Sequence, residues 1–243
     1  MTRTMFYLAL VGSVGAAQAD AIDTQDSGAI AAFQSGLTIN TFESVTGRTA
    51  QTISSYTQGD TIDPNAFVFD QISGVQYSVG GAVGTNMPAL FSLSGSLAGD
   101  AKSGTTVLGP VDFDFTTKFV SGAFIEVFFP VKVAKVGFWL NPSLGDVALI
   151  ATDTNFAFSG LPETTLESAT GTAGNFVGIE RATADIGGFK IIGLGSAAFS
   201  VDDFSYGPPA PIPVPASVLL FGSALTGLGL LRRRGAQRPR RDK

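Results

Sequence analysis

The chain has no cysteine and no histidine. Without cysteine no disulfide can form in any compartment, so packing alone has to hold the fold. The two absences together remove the usual zinc ligand sets, cysteine and histidine nucleophile systems, and a Ser-His-Asp triad. Basic residues are also scarce away from the ends. Residues 20–211 carry seven of them against nineteen acidic residues, a net charge of −12. A body so acidic is repelled by nucleic acid and by anionic lipid, and divalent cations or neutral sugars are the more natural partners. Solubility in a salty medium accounts for the same charge with no partner at all. Aromatic usage is lopsided, with 20 phenylalanines to a single tryptophan, which suits core filling better than a display of sugar-stacking rings.

The two ends carry the clearest patterns. Arg3, the apolar run Met5 to Val14 and the small-residue site Ala17-Gln18-Ala19 predict a secretory signal peptide over residues 1–19. At the other end, Ile212 to Leu231 holds no charged side chain. At a helical rise of about 1.5 Å per residue, that run is roughly as long as a bilayer's hydrocarbon core is thick. Pro213 and Pro215 cannot sit inside a helix without losing hydrogen bonds. Residues 208–215 therefore read as a stiff linker and 216–231 as a single transmembrane helix. Arg232, Arg233 and Arg234 then stop transfer and keep the basic tail, 232–243, in the cytoplasm. A buried core helix is the alternative reading of the same run. The stretch between the ends, 20–207, is long enough for one sizeable core.

The tail resembles bacterial sorting signals of the PEP-CTERM class, and more closely the VPLPA-CTERM variant. Val214, Pro215, Ala216 and Ser217 stand where that class has its short proline motif, and Arg232 to Arg234 stand where it has its arginine cluster. Pro213-Val214 departs from the variant's arrangement of proline and leucine. The resemblance implies recognition by an exosortase-like membrane protease, removal of the tail, and export to the surface of a Gram-negative bacterium that makes exopolysaccharide.

Between the ends the pattern is β. Asp26-Ser27 can cap one short helix bearing Ile30 and Phe33, with Gly36 after it. Short alternating runs follow, separated by glycine- and proline-bearing turns. Ala89, Phe91 and Leu93 form one such run, Val111, Phe113 and Phe115 a second, Val136, Phe138 and Leu140 a third, and Val147, Leu149 and Ala151 a fourth. Phe119 to Phe129 is apolar on both faces and reads as a central strand that Pro130 ends; Leu161 to Gly174 reads as a soft loop. The expected fold is an antiparallel, jelly-roll-like β-sandwich. Leu37–Glu43, Gly74–Ser78, Val136–Trp139 and Val201–Gly207 resemble landmarks of jelly-roll ectodomains found ahead of such sorting tails, which are similar in layout to carbohydrate-binding modules.

That resemblance implies one candidate metal site. In calcium-bearing jelly rolls a carboxylate near the first strand meets another near the last, and Glu43, Asp202 and Asp203 hold those positions here. A structural Ca2+ needs six to eight oxygens; otherwise Glu43 caps a turn and the aspartates face water. Asp60, Asp63 and Asn65 do not fit an EF-hand loop and read as an Asx-type turn. Asp112, Asp114 and Glu126 are the carboxylates a glycosidase would use, or simply the solvated side of a strand. Gly193 to Ala198 matches a relaxed dinucleotide fingerprint but leads into a strand, so no helix N-terminus is available for phosphate. Trp139, with Tyr77 or Tyr206, can stack on a sugar or fill core. These features together predict an exported, non-enzymatic surface or matrix protein with polysaccharide as its candidate ligand. A secreted carbohydrate-active enzyme and a purely structural surface protein are the alternatives.

Overall fold

The computed structural model describes residues 20–56, 61–68, 72, 75–81, 87–111, 119, 122–153 and 164–207. The signal peptide, linker, sorting motif, arginine cluster and transmembrane segment expected from the sequence lie outside these residues. No helix among the described residues is long and apolar enough to cross a membrane.

Among the described residues thirteen strands form two sheets. One has the order β1 (Asp20–Thr24), β11 (Phe176–Glu180), β8 (Lys135–Leu140), β13 (Val201–Gly207), β6 (Thr106–Val111), β5 (Met87–Leu93) and β3 (Gln51–Ile53), with β2 (Thr38–Asn40) also paired to β13. The other runs β10 (Thr165–Gly171), β9 (Val147–Thr152), β12 (Ile186–Gly193), β7 (Ala123–Val133) and β4 (Gln76–Gly81). The pairings are antiparallel except β3 with β5, which is parallel. Alternation decides what lies between the sheets. Val136, Phe138 and Leu140 of β8 meet Val147, Leu149 and Ala151 of β9 and Phe189 and Ile191 of β12 in the main core.

The outer face of the larger sheet carries a second layer in two parts. At one end α1 (Ser27–Gln34), capped by the Asp26 carboxylate on the Ala29 N–H, lays Ile30 and Phe33 on Trp139 and Phe176. Phe33 reaches the sheet because Gly137 and Gly178 face each other across β8 and β11. A Cβ at Gly178 would fall 2.9 Å from the Phe33 ring and 2.6 Å from the Val136 carbonyl. At the other end Ala89, Phe91, Leu93 and Val107 pack under Ile53, Ile62 and Phe67.

Several strands depart from the sequence pattern. β7 runs through Pro130 to Val133 instead of ending there. Its pairing with β12 shifts register between Ile186 and Gly188, which leaves Pro130 where no ladder N–H is needed. β10 is a strand where Leu161–Gly174 reads as loop; it is a sheet edge with small, hydroxyl-bearing residues, so no strong apolar alternation marks it. β1 and β3 carry no clear signal in the sequence and take their strand form from the edges they pair with. Gly193–Ala198 includes a 3-10 turn, Leu194–Ser196, followed by β13, with no helix for a phosphate to meet.

Candidate functional site

The structure brings Glu43, Asp202 and Asp203 to one loop, residues 99–106, although they come from distant parts of the chain. Glu43 Oε1 accepts from the Thr105 and Thr106 N–H groups at 2.8 and 2.6 Å. Asp202 Oδ2 accepts from the Lys102 and Ser103 N–H groups at 2.8 and 2.9 Å, and its Oδ1 accepts from the Asp203 N–H at 2.7 Å. Asp203 accepts the Ser103 hydroxyl. Two backbone features make this possible. Asp203 has φ 48, inside a register shift between Asp202 and Ser205, and Gly104 has φ +56 with its α-carbon turned toward Glu43, where any Cβ would overlap the carboxyl group.

These carboxylates face N–H and O–H donors. A calcium cage needs the reverse, lone pairs pointing inward from carboxylates and carbonyls. Among the described residues no group of three or more acidic side chains is spaced to hold a metal ion. The donor set as it stands does not fit Ca2+, because six donor contacts fall on four of the six carboxylate oxygens, including both of Asp202. Burial pushes Asp202 up to about 7, with the Asp203 charge adding and three N–H donors opposing. Asp203 is raised for the same first reason, its burial.

The latched loop forms one wall of a cleft of about 160 Å3 on the outer face of the larger sheet. The cleft lies where the two parts of the outer layer leave a gap. Trp139, Asn141 and Pro142 line it on the sheet side, Asp100 and Lys102 on the loop side. Trp139 is 9% exposed; the Phe176 ring stands edge-on to it with centroids 5.9 Å apart, and Lys102 Nζ sits 3.9 Å from its centroid. Behind the rim runs a polar chain. Asp100 accepts the Tyr56 hydroxyl at 2.8 Å, and Asn141 Nδ2 donates to Tyr56 Oη at 2.6 Å and to Ser200 Oγ at 3.1 Å. Burial raises the Tyr56 hydroxyl well above its usual range, so it stays a donor at any ordinary pH. Nothing in the sequence pairs Tyr56, Asp100 and Asn141; only the fold does.

The other residues singled out from the sequence do not gather. Asp63 caps the turn Pro64–Ala66 by accepting from the Asn65 N–H, an Asx turn as read, while Asp60 lies outside the described residues. Asp112 and Asp114 also lie outside them. Glu126 is on the outer face of the smaller sheet, ion-paired at 2.9 Å with Lys190 directly across from it. Tyr77 is buried in the main core against Phe42 and Phe204, and Tyr206 is packed beside that core. Neither joins Trp139.

No protein-family model matches the chain, and no curated protein does. Three solved structures resemble part of the chain at low similarity. TmCBM61 in complex with β-1,4-galactotriose is 20% identical over 54% of this chain and 88% of its own, with a TM-score of 0.33. The family 11 carbohydrate-binding module of Clostridium thermocellum, in complex with a β-1,3-1,4-mixed-linked tetrasaccharide, is 10% identical over 60% of this chain and 97% of its own, with a TM-score of 0.32. The enzymatically active domain of bacteriophage CBA120 tailspike protein 4 is 13% identical, with a TM-score of 0.31; the match covers 60% of this chain and 21% of that one.

Proposed function

We propose that this β-sandwich is an exported, non-enzymatic glycan-binding protein, delivered to the cell surface and trimmed at its tail by an exosortase-like membrane protease. The address comes from the two ends of the sequence. The binding reading is carried by one observation, the cleft over Trp139. Its volume of about 160 Å3 is close to the ~150 Å3 that holds a benzene molecule, so one six-membered sugar ring is the natural occupant. An aromatic face with polar groups at the rim suits such a ring, which has apolar faces and a hydroxyl edge.

The test is calorimetric titration of the full chain with a panel of neutral and acidic oligosaccharides, repeated with Trp139→Met. Saturable binding that weakens at least about tenfold in the variant is expected, as for loss of an aromatic hot spot. Silence across the panel, or a variant that binds as well as the parent, overturns the reading. If the variant does not fold, the parent decides the matter alone, because a sugar seated on Trp139 must change the fluorescence of the chain's single tryptophan.

A further inference from the structure

The charges around the cleft are unequally committed. Asp202 accepts three backbone N–H groups, Asp100 takes the Tyr56 hydroxyl, Asp203 the Ser103 hydroxyl, and Glu43 two more backbone N–H groups. Each carboxylate therefore has its donors within the protein. Lys102 is different. It is exposed, and among the described residues no carboxylate lies within ion-pair distance of its ammonium group. Its ammonium contacts the Trp139 face, which attracts a cation but accepts no conventional hydrogen bond. That charge also attracts the Asp203 carboxylate, from beyond ion-pair distance. The ammonium has three N–H donors to place, and the loop that carries it is pinned at the backbone N–H groups of Lys102 itself and of Ser103 by Asp202.

We infer that the Trp139 cleft selects a sugar bearing a carboxylate, a uronic acid residue of an acidic polysaccharide, with Lys102 as the residue that confers the choice. This rests on the glycan-binding reading of the cleft. The ring takes the place of the ammonium on the Trp139 face, and the ammonium swings to the ring's edge to pair with the sugar carboxylate. An exposed lysine moves at little cost, and a charge-assisted pair replaces a contact that leaves its hydrogens unshared. A neutral sugar would also displace the ammonium from the ring but would return only hydroxyl contacts. The acidic surface of the domain does not veto an anionic ligand. Asp100 and Asp202 line the same cleft and oppose an anion there, so the preference rests on direct contact with Lys102. Carboxylates beyond the screening length of about 8 Å at physiological ionic strength count for little.

The experiment follows Trp139 fluorescence of the full chain, since it is the only tryptophan. It is titrated with oligogalacturonate, oligoglucuronate and oligomannuronate, and with the neutral oligosaccharides made by reducing each carboxylate to the alcohol. At least one acid should bind about tenfold or more tightly than its neutral counterpart, the worth of one charge-assisted hydrogen bond. Lys102→Gln should remove that preference, bringing each acid and its neutral counterpart to within about twofold of one another. Equal or tighter binding of every neutral form, or an acid preference that survives in Lys102→Gln, overturns the selectivity and leaves glycan binding standing. No response to any of the six sinks both.

Discussion

On the outer face of the smaller sheet Glu126 meets a lysine side chain, whereas on the outer face of the larger sheet Glu43, Asp202 and Asp203 meet the N–H and O–H groups of a single loop. Both give a carboxylate partners within the protein, and they do different things to the fold. Glu126 and Lys190 sit opposite each other in register on two adjacent strands. Their pair adds one rung to a ladder that already exists, at the expense of ordering a long, flexible lysine. The latch instead ties loop 99–106 to strands that are remote in sequence. Backbone donors bring no side-chain freedom to lose, and they are directional, so the loop can adopt only one placement. A charged pair can be exchanged for an apolar one; a latch that supplies the acceptors for a loop's N–H groups cannot be removed without leaving those donors unmet by the protein.

Three changes would break that contrast. Gly104→Ala should be the most damaging, destabilising by about 1–2 kcal/mol in a denaturant titration, because the new Cβ strains the left-handed backbone and pushes the Glu43 carboxylate off the Thr105 and Thr106 N–H groups. Gly99→Ala, in the same loop but with nothing within 4 Å of its Cβ, should stay within about 0.5 kcal/mol. The parent chain should melt at the same temperature in chelator and in millimolar Ca2+. A calcium-dependent rise would show that the oxygens exchange their amide donors for a cation.

Asp202 gives an intermediate effect that depends on pH. Its folded-state value, pushed up to about 7 by burial, lies above the unfolded value near ~4. Between those two values the folded chain holds a proton that the unfolded chain releases, so stability from this group is fully present below the lower value and is lost as pH rises to the upper one. The melting temperature should therefore fall from pH 5 to pH 8 more steeply in the parent than in Asp202→Asn. Parallel profiles would mean that the N–H donors outweigh burial and keep the carboxylate charged throughout. The smallest change belongs to the other sheet. Lys190→Met with Glu126→Gln should shift stability by no more than about 1 kcal/mol, with the parent's share fading at high salt. A loss as large as that of Gly104→Ala would erase the distinction between rung and latch.

Much of the architecture is readable in the sequence because alternation is local. Val136, Phe138 and Leu140, and likewise Val147, Leu149 and Ala151, must share a face of a strand wherever the strand goes, and all six lie in the main core. Asp26, Ile30 and Phe33 specify a capped amphipathic turn of helix by the same kind of local rule. The edges are not readable in this way. β1, β3 and β10 are strands because a neighbouring strand offers them unpaired N–H and C=O groups, which no residue in those segments announces. Pro130 misleads for the same reason, since its missing N–H matters only if a partner stands opposite.

The candidate site divides along the same line. That Glu43 and the Asp202-Asp203 pair come to one loop matches what the resemblance to calcium-bearing jelly rolls implies; neither composition nor local pattern says it. What they bind does not match it. Composition decided that this protein has no disulfide, no zinc site of the usual kind and no histidine chemistry, because those need residues it does not contain. Only the tertiary structure decided that three carboxylates hold a loop against a tryptophan. Hydrogen-bond direction and the gap between two packed layers depend on chain segments far apart in sequence, and local pattern carries no record of them.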